Sequence, residues 1–266
     1  MTLETELESA TADASPQAVV KTLGKALALL DLVGRAEHPP TTGELAVFAG
    51  LSRPTTHRLV QTLVAAGFLQ QNKRDGRLSV GLAVLPLAAS LLDTHRLRTE
   101  ALPHIQALAQ KMNARVNMGI LHQQRVMILA GAEKPSLPVI NSSFGRTVPM
   151  HCCGLGKAIL AYLPESEVET ILAEQPLVAR TPYTITSAAA LRADLEKARD
   201  RGWATEFREN RSTSCCVAVP ILHGMDMPAA AISLAGRSIE SLEQEIAPVL
   251  ETAEIIAHML QRSTAA

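Results

Sequence analysis

The chain has 266 residues, 47% apolar and 3% aromatic, enough for one large domain or two ordinary ones with cores of Leu, Ala, Val and Ile. No apolar run approaches the roughly 20 residues of a membrane span, and Met1 to Pro16 lacks a signal-peptide pattern, so a cytoplasmic protein without membrane contact is expected. The net charge of −1 argues against nucleic acid, but from Gln17 to Arg98 ten Lys and Arg stand against five Asp and Glu, a local excess of +5.

Residues 1–18 carry no periodicity and read as a disordered arm. Lys21 to Gly34 spaces Leu23, Leu27, Leu30 and Leu32 as a helix, and Pro39-Pro40 breaks the chain after it. From Thr41 to Leu63 the pattern is a short helix, a tight turn and a second helix. Thr42 is the expected cap of the first, with Leu45 and Phe48 on one face at i, i+3. Gly50 stands where a helix end needs a positive φ. Ser52 is the natural N-cap of the second helix, Pro54 is tolerated in its first turn, and Leu59, Leu63 and Val64 form its inward stripe. That leaves Ser52, Arg53, Thr55, Thr56, His57 and Arg58 on the outer surface, hydroxyl, imidazole and guanidinium groups suited to base edges and phosphates. Past Gly67, Phe68 to Gln71 and Arg77 to Val80 read as two strands joined by the turn Asn72 to Gly76. Two helices and a basic ribbon make a winged helix-turn-helix over 19–81, with Lys73, Arg74 and Arg77 toward the DNA backbone or minor groove.

Residues 82–98 are too apolar for a free linker and read as a helix that joins the halves and packs on a partner subunit. A helix from Thr99 to Met112 follows. The pattern then turns to strands: Val116 to Leu121 and Arg125 to Ala130 around a polar turn, and Leu137 to Ile140. Helices are expected at Leu155 to Leu163, Glu165 to Leu172 and Ser187 to Arg201. Strands follow at Trp203 to Phe207, Cys216 to Leu222 and Ala229 to Ala235, then one closing helix from Ile239 to Leu260. The fold class is α+β, with helices flanking a mainly antiparallel sheet of five or six strands in the body, 99–262.

The four cysteines lie as adjacent pairs, Cys152-Cys153 and Cys215-Cys216. In a reducing compartment disulfides are not expected, and the spacing is not that of a zinc or redox motif. The main reading makes them small apolar groups lining a pocket, with no metal and no cofactor. A thiol- or metal-sensing regulator stays open as the alternative, and an enzyme acting on a small organic acid as a weaker one. Gly154 and Gly156 are no phosphate loop, since no Gly-Lys-Ser/Thr follows.

These segments resemble the IclR family of bacterial transcription regulators. The likeness is carried by Lys25 to Asp31 and the helix-turn-helix, by Gly145 to Ala161, by Gly202-Trp203-Ala204, and by Cys216 to Ile221. The resemblance implies a winged head on a GAF-like α/β effector-binding domain. It also implies homodimers or dimers of dimers on a pseudo-palindromic operator double strand, of a catabolic operon, and a small organic or aromatic acid as effector. It places the effector pocket at the backbone of Gly154 and Leu155, with Glu206, Cys216 and Ser233 as walls and Ala235 beside them. The family commonly has aspartate at Glu206 and a second serine at Ala235. It also has aromatic and basic residues at Leu78 and Ser79 of the wing.

Overall fold

The computed structural model describes residues 20–133, 144–224 and 227–264. The arm expected at 1–18 and the strand expected at Leu137 to Ile140 lie outside them. The chain forms two compact units that meet in sequence between Thr94 and His95.

The first unit opens with α1 (Lys21–Arg35). Its buried residues are Leu29 and Val33, with Ala26 and Leu30 packed beside them, whereas Leu23 and Leu27 are 58% and 55% exposed. The helix is thus apolar on both sides, and the small Ala26 lies on the packed one. Helix α2 (Thr42–Phe48) is capped by Thr41, not Thr42. The Glu44 N–H donates to Thr41 Oγ1 and Glu44 Oε2 accepts from the Thr41 N–H, a reciprocal pair that only the Thr41-x-x-Glu44 spacing allows. Leu45, Ala46 and Ala49 face the core and Phe48 is 67% exposed, so Leu45 and Phe48 do not share a buried face as expected. Gly50 turns the chain at φ 64° into α3 (Arg53–Ala65), whose N-cap Ser52 accepts from the Thr55 N–H. Leu59, Val60 and Leu63 bury the inner face of α3, while Val64 is only half-buried. The wing is β1 (Leu69–Gln71) paired antiparallel with β2 (Leu78–Val80). Helix α4 (Val84–Thr94) ends the unit with no buried residue.

In the second unit α5 spans Arg96–Met112, beginning three residues before the expected Thr99, so the 82–98 helix is interrupted at His95. An antiparallel six-stranded sheet follows, ordered β5-β4-β3-β8-β7-β6. Its strands are β3 (Arg115–His122), β4 (Arg125–Ala132), β5 (Thr147–Pro149), β6 (Ala204–Phe207), β7 (Cys215–His223) and β8 (Met227–Gly236). Gln123 and Gln124 both take positive φ and close the β3–β4 hairpin as a two-residue reversal that matches strand twist. Edge strand β5 was not read from the sequence; three residues carry no alternation to detect.

One sheet face is covered by α5 and by α10 (Ala247–Thr264), through Ile105, Leu108, Val249 and Ile256 against Val116, Val217 and Leu234. The other takes α6 (Gly154–Leu160), α7 (Glu165–Glu174) and α8 (Ala188–Arg201), through Ile159, Ile171 and Leu195 against Val126, Ala218 and Ala231. The closing helix divides into α9 (Ile239–Gln244) and α10, because Pro248 in the first turn of α10 lacks the N–H a continuous helix needs. Just ahead of α6, Met150–Cys152 make a single 3₁₀ turn. A Cβ on Gly156 would stand 2.2 Å from the Met150 carbonyl oxygen.

Gly156→Ala is therefore expected to destabilise the body by about 2–3 kcal/mol, the cost of overpacking against backbone that cannot yield. Urea melts of the two proteins measure it.

Candidate functional site

Two regions gather functional side chains, one in each unit. In the head, Ser52, Arg53, Thr55, His57 and Arg58 are exposed at the start of α3. Thr56 is not: its side chain is buried and its hydroxyl donates to the Ser52 carbonyl at 3.1 Å, which corrects its expected place on the outer surface. The helix period explains this, since Thr56 lies one turn before Leu59 and Val60 on the core stripe. Lys73 and Arg74 project from the wing turn, where Asn72 Oδ1 accepts from the Arg74 N–H at 2.9 Å and Asp75 Oδ1 accepts from the Arg77 N–H at 3.1 Å. Arg77 behaves differently. Its guanidinium donates to the Pro39 carbonyl at 2.6 Å and stands 3.8 Å from Glu44, while the Leu78 N–H donates to the Pro40 carbonyl at 2.8 Å. Backbone and side-chain hydrogen bonds from Thr41, with the Arg77 charge added, hold the Glu44 carboxyl below its ordinary pKa. Arg77 thus ties the wing to the cap of α2.

In the body, strand register sets the site. Glu206 pairs with Cys216, Cys216 with Ala235, and Ala235 with Arg115, a row across β6, β7, β8 and β3. Two residues along, on the same face, Ala218, Ser233 and Asn117 form the next row. The start of α6 lies over these rows: a Cβ on Gly154 would come within 2.6 Å of Cys216 Sγ. Beside it opens a cavity of about 330 Å³ lined by Gly154, Leu155, Glu206, Cys216, Ser233 and Ala235, all six residues that the family resemblance marked. Its other lining residues include Arg115, Asn117, Arg146, Arg180, Asn210 and Arg211, none of which was singled out from the sequence. Arg146, Arg180 and Arg211 come from loops, where spacing carries no signal; Arg115 and Asn117 alternate on β3 and follow from the pairing with β8.

Charge in the cavity is lopsided. Arg115 is paired with Glu133 at 2.8 Å across the β3–β4 ribbon, whereas Arg146, Arg180 and Arg211 have no ion-pair partner among the described residues. The one carboxylate in the lining is Glu206, which is buried. Burial raises its pKa above the usual carboxylate range, against the N–H donors of Asn210 (3.1 Å) and Glu209 (2.5 Å) that favour the ionised form. Positive potential here comes from guanidinium groups more than from the seven-residue α6, whose Gly156 N–H already donates to Cys153 Sγ.

The wall holding Asn210 and Arg211 is fixed from beneath. Lys157 on α6 is fully buried, with its ammonium 2.7 Å from Glu209 and 2.8 Å from Asp194 of α8. Burial opposes its charge, but the two carboxylates outweigh burial and hold its pKa above the ordinary lysine value. The Thr184 hydroxyl grips the same loop from outside by donating to the Glu209 carbonyl at 2.7 Å, and the Thr181 hydroxyl donates to that of Arg208.

Cys152, Cys153 and Cys215 are buried and Cys216 is half-buried. Burial pushes the Cys152 thiol up to about 11 and those of Cys153 and Cys216 further, so thiolate, the reactive form, is scarce. Among the described residues no group of three or more His, Cys, Asp or Glu is gathered for a metal ion.

A winged helix-turn-helix with a basic outer face, followed by a separate α/β unit with an arginine-lined cavity, defines the class: a DNA-binding transcription regulator. Residues 89–262 match the bacterial transcriptional regulator IclR C-terminal domain and residues 22–73 the IclR helix-turn-helix domain, so the chain belongs to the IclR family. It is 31% identical over 236 residues to the glycerol operon regulatory protein of Streptomyces coelicolor, covering 88% of this chain and 92% of that one. It is 32% identical over 229 residues to the transcriptional repressor IclR of Escherichia coli, covering 85% and 83%. The crystal structure of an IclR transcriptional regulator from Alicyclobacillus acidocaldarius is similar with a TM-score of 0.79 at 26% identity, over 90% of this chain and 98% of that one.

Lys157→Met is expected to lower the unfolding free energy by about 3–5 kcal/mol, because two carboxylates lose their shared cation inside the protein; equilibrium urea melts read the change. Glu206→Gln supplies a pH test. A raised folded-state pKa means the native carboxyl keeps a proton the unfolded chain has released, so its contribution is full at low pH and is lost as pH rises through the folded pKa. The stability of Glu206→Gln relative to wild type should therefore improve as pH rises from the ordinary carboxylate value through the raised folded-state pKa.

Proposed function

We propose that this regulator binds a pseudo-palindromic operator as a homodimer or dimer of dimers, and that a small organic or aromatic acid in the body cavity sets its operator affinity. The observation that carries the effector half is the cavity itself: three guanidiniums without carboxylate partners among the described residues, around a chamber whose single carboxyl resists ionisation. Such a chamber favours an anion, as charge-assisted bonds to guanidinium are strong and directional.

On the DNA side, α3 lies in the major groove with Arg53 and Arg58 reaching bases or phosphates and Ser52, Thr55 and His57 beside them. Lys73 and Arg74 at the wing tip take phosphates, and Arg77 holds the wing in place rather than contacting DNA. The head covers 19–81, the helical segment 82–98 joins it to the effector domain 99–262, and effector occupancy biases the heads through that segment. This is a coupling free energy, and it requires the acid to bind one arrangement better than the other. The protein acts in the cytoplasm, with no catalytic role. The cysteines serve as apolar wall and as the cap of α6, consistent with burial that raises the thiol pKa of Cys152, Cys153 and Cys216.

The test is fluorescence anisotropy of the full-length protein on its own upstream DNA, at two salt concentrations, with and without a panel of carboxylic and aromatic acids. Arg53→Ala should weaken specific binding by about 1–3 kcal/mol, roughly tenfold or more. Unchanged affinity removes Arg53 from the interface. Glu206→Ala should alter the response to acid while leaving operator affinity in place. Response to metal or oxidant alone would favour the cysteine-sensing alternative.

A further inference from the structure

We propose that the effector of this chamber is a doubly charged anion, a dicarboxylate or a phosphate monoester, selected over singly charged acids by its second charge. The inference rests on the reading of the cavity as an anion site and adds how much charge that site is built to take.

The lining carries four guanidiniums and one carboxyl. Arg115 is answered by Glu133 at 2.8 Å, and behind the wall the Lys157 ammonium is answered by Glu209 and Asp194. Arg146, Arg180 and Arg211 remain, with no acidic side chain among the described residues in ion-pair distance of them. The carboxyl in the lining does not serve them. Glu206 Oε1 accepts from the N–H groups of Glu209 and Asn210, and its Oε2 accepts from the Cys216 thiol at 3.6 Å. Even with Glu206 fully ionised, three guanidiniums against one carboxylate leave two positive charges unanswered.

Each of the three arginines is anchored at its backbone. The Arg146 carbonyl accepts from the Ile128 N–H of β4 at 3.0 Å, and the Arg211 carbonyl from the Ser214 N–H at 3.4 Å. The Arg180 N–H donates to the Thr184 hydroxyl at 3.0 Å. They come from three separate segments, before β5, between α7 and α8, and between β6 and β7, yet all line one cavity of about 330 Å³. The charge of Arg180 is felt by the buried His151 ring and Cys152 thiol, so that guanidinium lies against the body. All three are also open to solvent, so salt screens their attraction.

A guanidinium presents its N–H groups as a two-pronged fork, and a carboxylate offers two oxygens with about four lone-pair sites. One carboxylate is therefore saturated by two forks, and a third guanidinium finds no acceptor on it. A second carboxylate supplies the missing acceptors, as does a phosphate monoester with its three terminal oxygens and about two charges. Coulomb attraction acts in the same direction, because a second charge doubles the pull of the same positive field. Neither effect depends on the pose of the ligand, since both follow from which groups surround so small a volume.

The experiment is isothermal titration calorimetry of the full-length protein with pairs of nearly equal shape that differ by one charge. The pairs are succinate and succinamate, terephthalate and 4-carbamoylbenzoate, and phenyl phosphate and its methyl ester. In wild type, at least one dianion is expected to bind about tenfold or more tightly than its singly charged partner, with a smaller gap in high salt. Whichever pairs show the gap identify the source of the charge, carboxylate or phosphate. Arg180→Gln and Arg211→Gln should each cut the gap by about threefold or more, with the singly charged acid affected less. Equal binding within every wild-type pair overturns the proposal without need of a variant. So does a gap that survives in all three of Arg146→Gln, Arg180→Gln and Arg211→Gln. Failure of every compound to bind removes the anion reading and this inference with it; binding without preference for charge removes the inference alone.

Discussion

The ligand chamber depends on one buried ammonium. Lys157 reaches from α6 to Asp194 on α8 and Glu209 on the loop after β6, and through them it joins three segments that no apolar contact could orient so closely. Without its charge, Glu209 would sit inside the protein with no counterion, and the loop would have to open to water. That loop turns back so that its own N–H groups meet Glu206, which places Asn210 and Arg211 on the chamber wall. The ion triad is expensive to desolvate, and an apolar substitute of equal volume would serve packing as well. What an apolar trio cannot do is define the direction of the loop.

The chamber balances two opposite demands. Guanidinium groups at its lining raise the potential for anions, while Glu206 lies deep enough that burial favours its neutral form. An ionised Glu206 would repel the charge the arginines attract. Burial weakens that repulsion by disfavouring the charge, while the Glu209 and Asn210 N–H groups bond one oxygen and the Cys216 thiol the other. The small residues Gly154 and Ala235 leave the volume open; a single methyl on Gly154 would press on Cys216.

Local chemistry made much of the fold legible. The cap at Ser52, the positive-φ glycine at Gly50 and the wing hairpin each follow from a few neighbouring residues, and the structure places them as expected. Errors arose where two local answers were equally good. Thr41 and Thr42 could both cap a helix, and only the partner at Glu44 decides. Leucines line both sides of α1, and tertiary packing chose the side with Ala26 and Leu29. Thr56 looked like an outward hydroxyl because its neighbours are outward, yet the helical period turns it to the core. In the body, the six chamber residues came from likeness to a family rather than from spacing. The arginines were invisible because they converge from loops far apart in sequence. Asn117 was within reach: it alternates on a recognisable strand, but only the pairing with Ser233 reveals which face is hollow.

The tether at Arg77 bears on the entropy of DNA recognition. A two-stranded ribbon of three-residue strands is marginal by itself and would sample many orientations in solution. Bonds from Arg77 and Leu78 to the carbonyls before α2 hold it at one orientation before any DNA arrives. Less conformational freedom of the wing then remains to be lost when the head binds DNA. The head consequently carries its wing as a stiff element rather than as a loose arm.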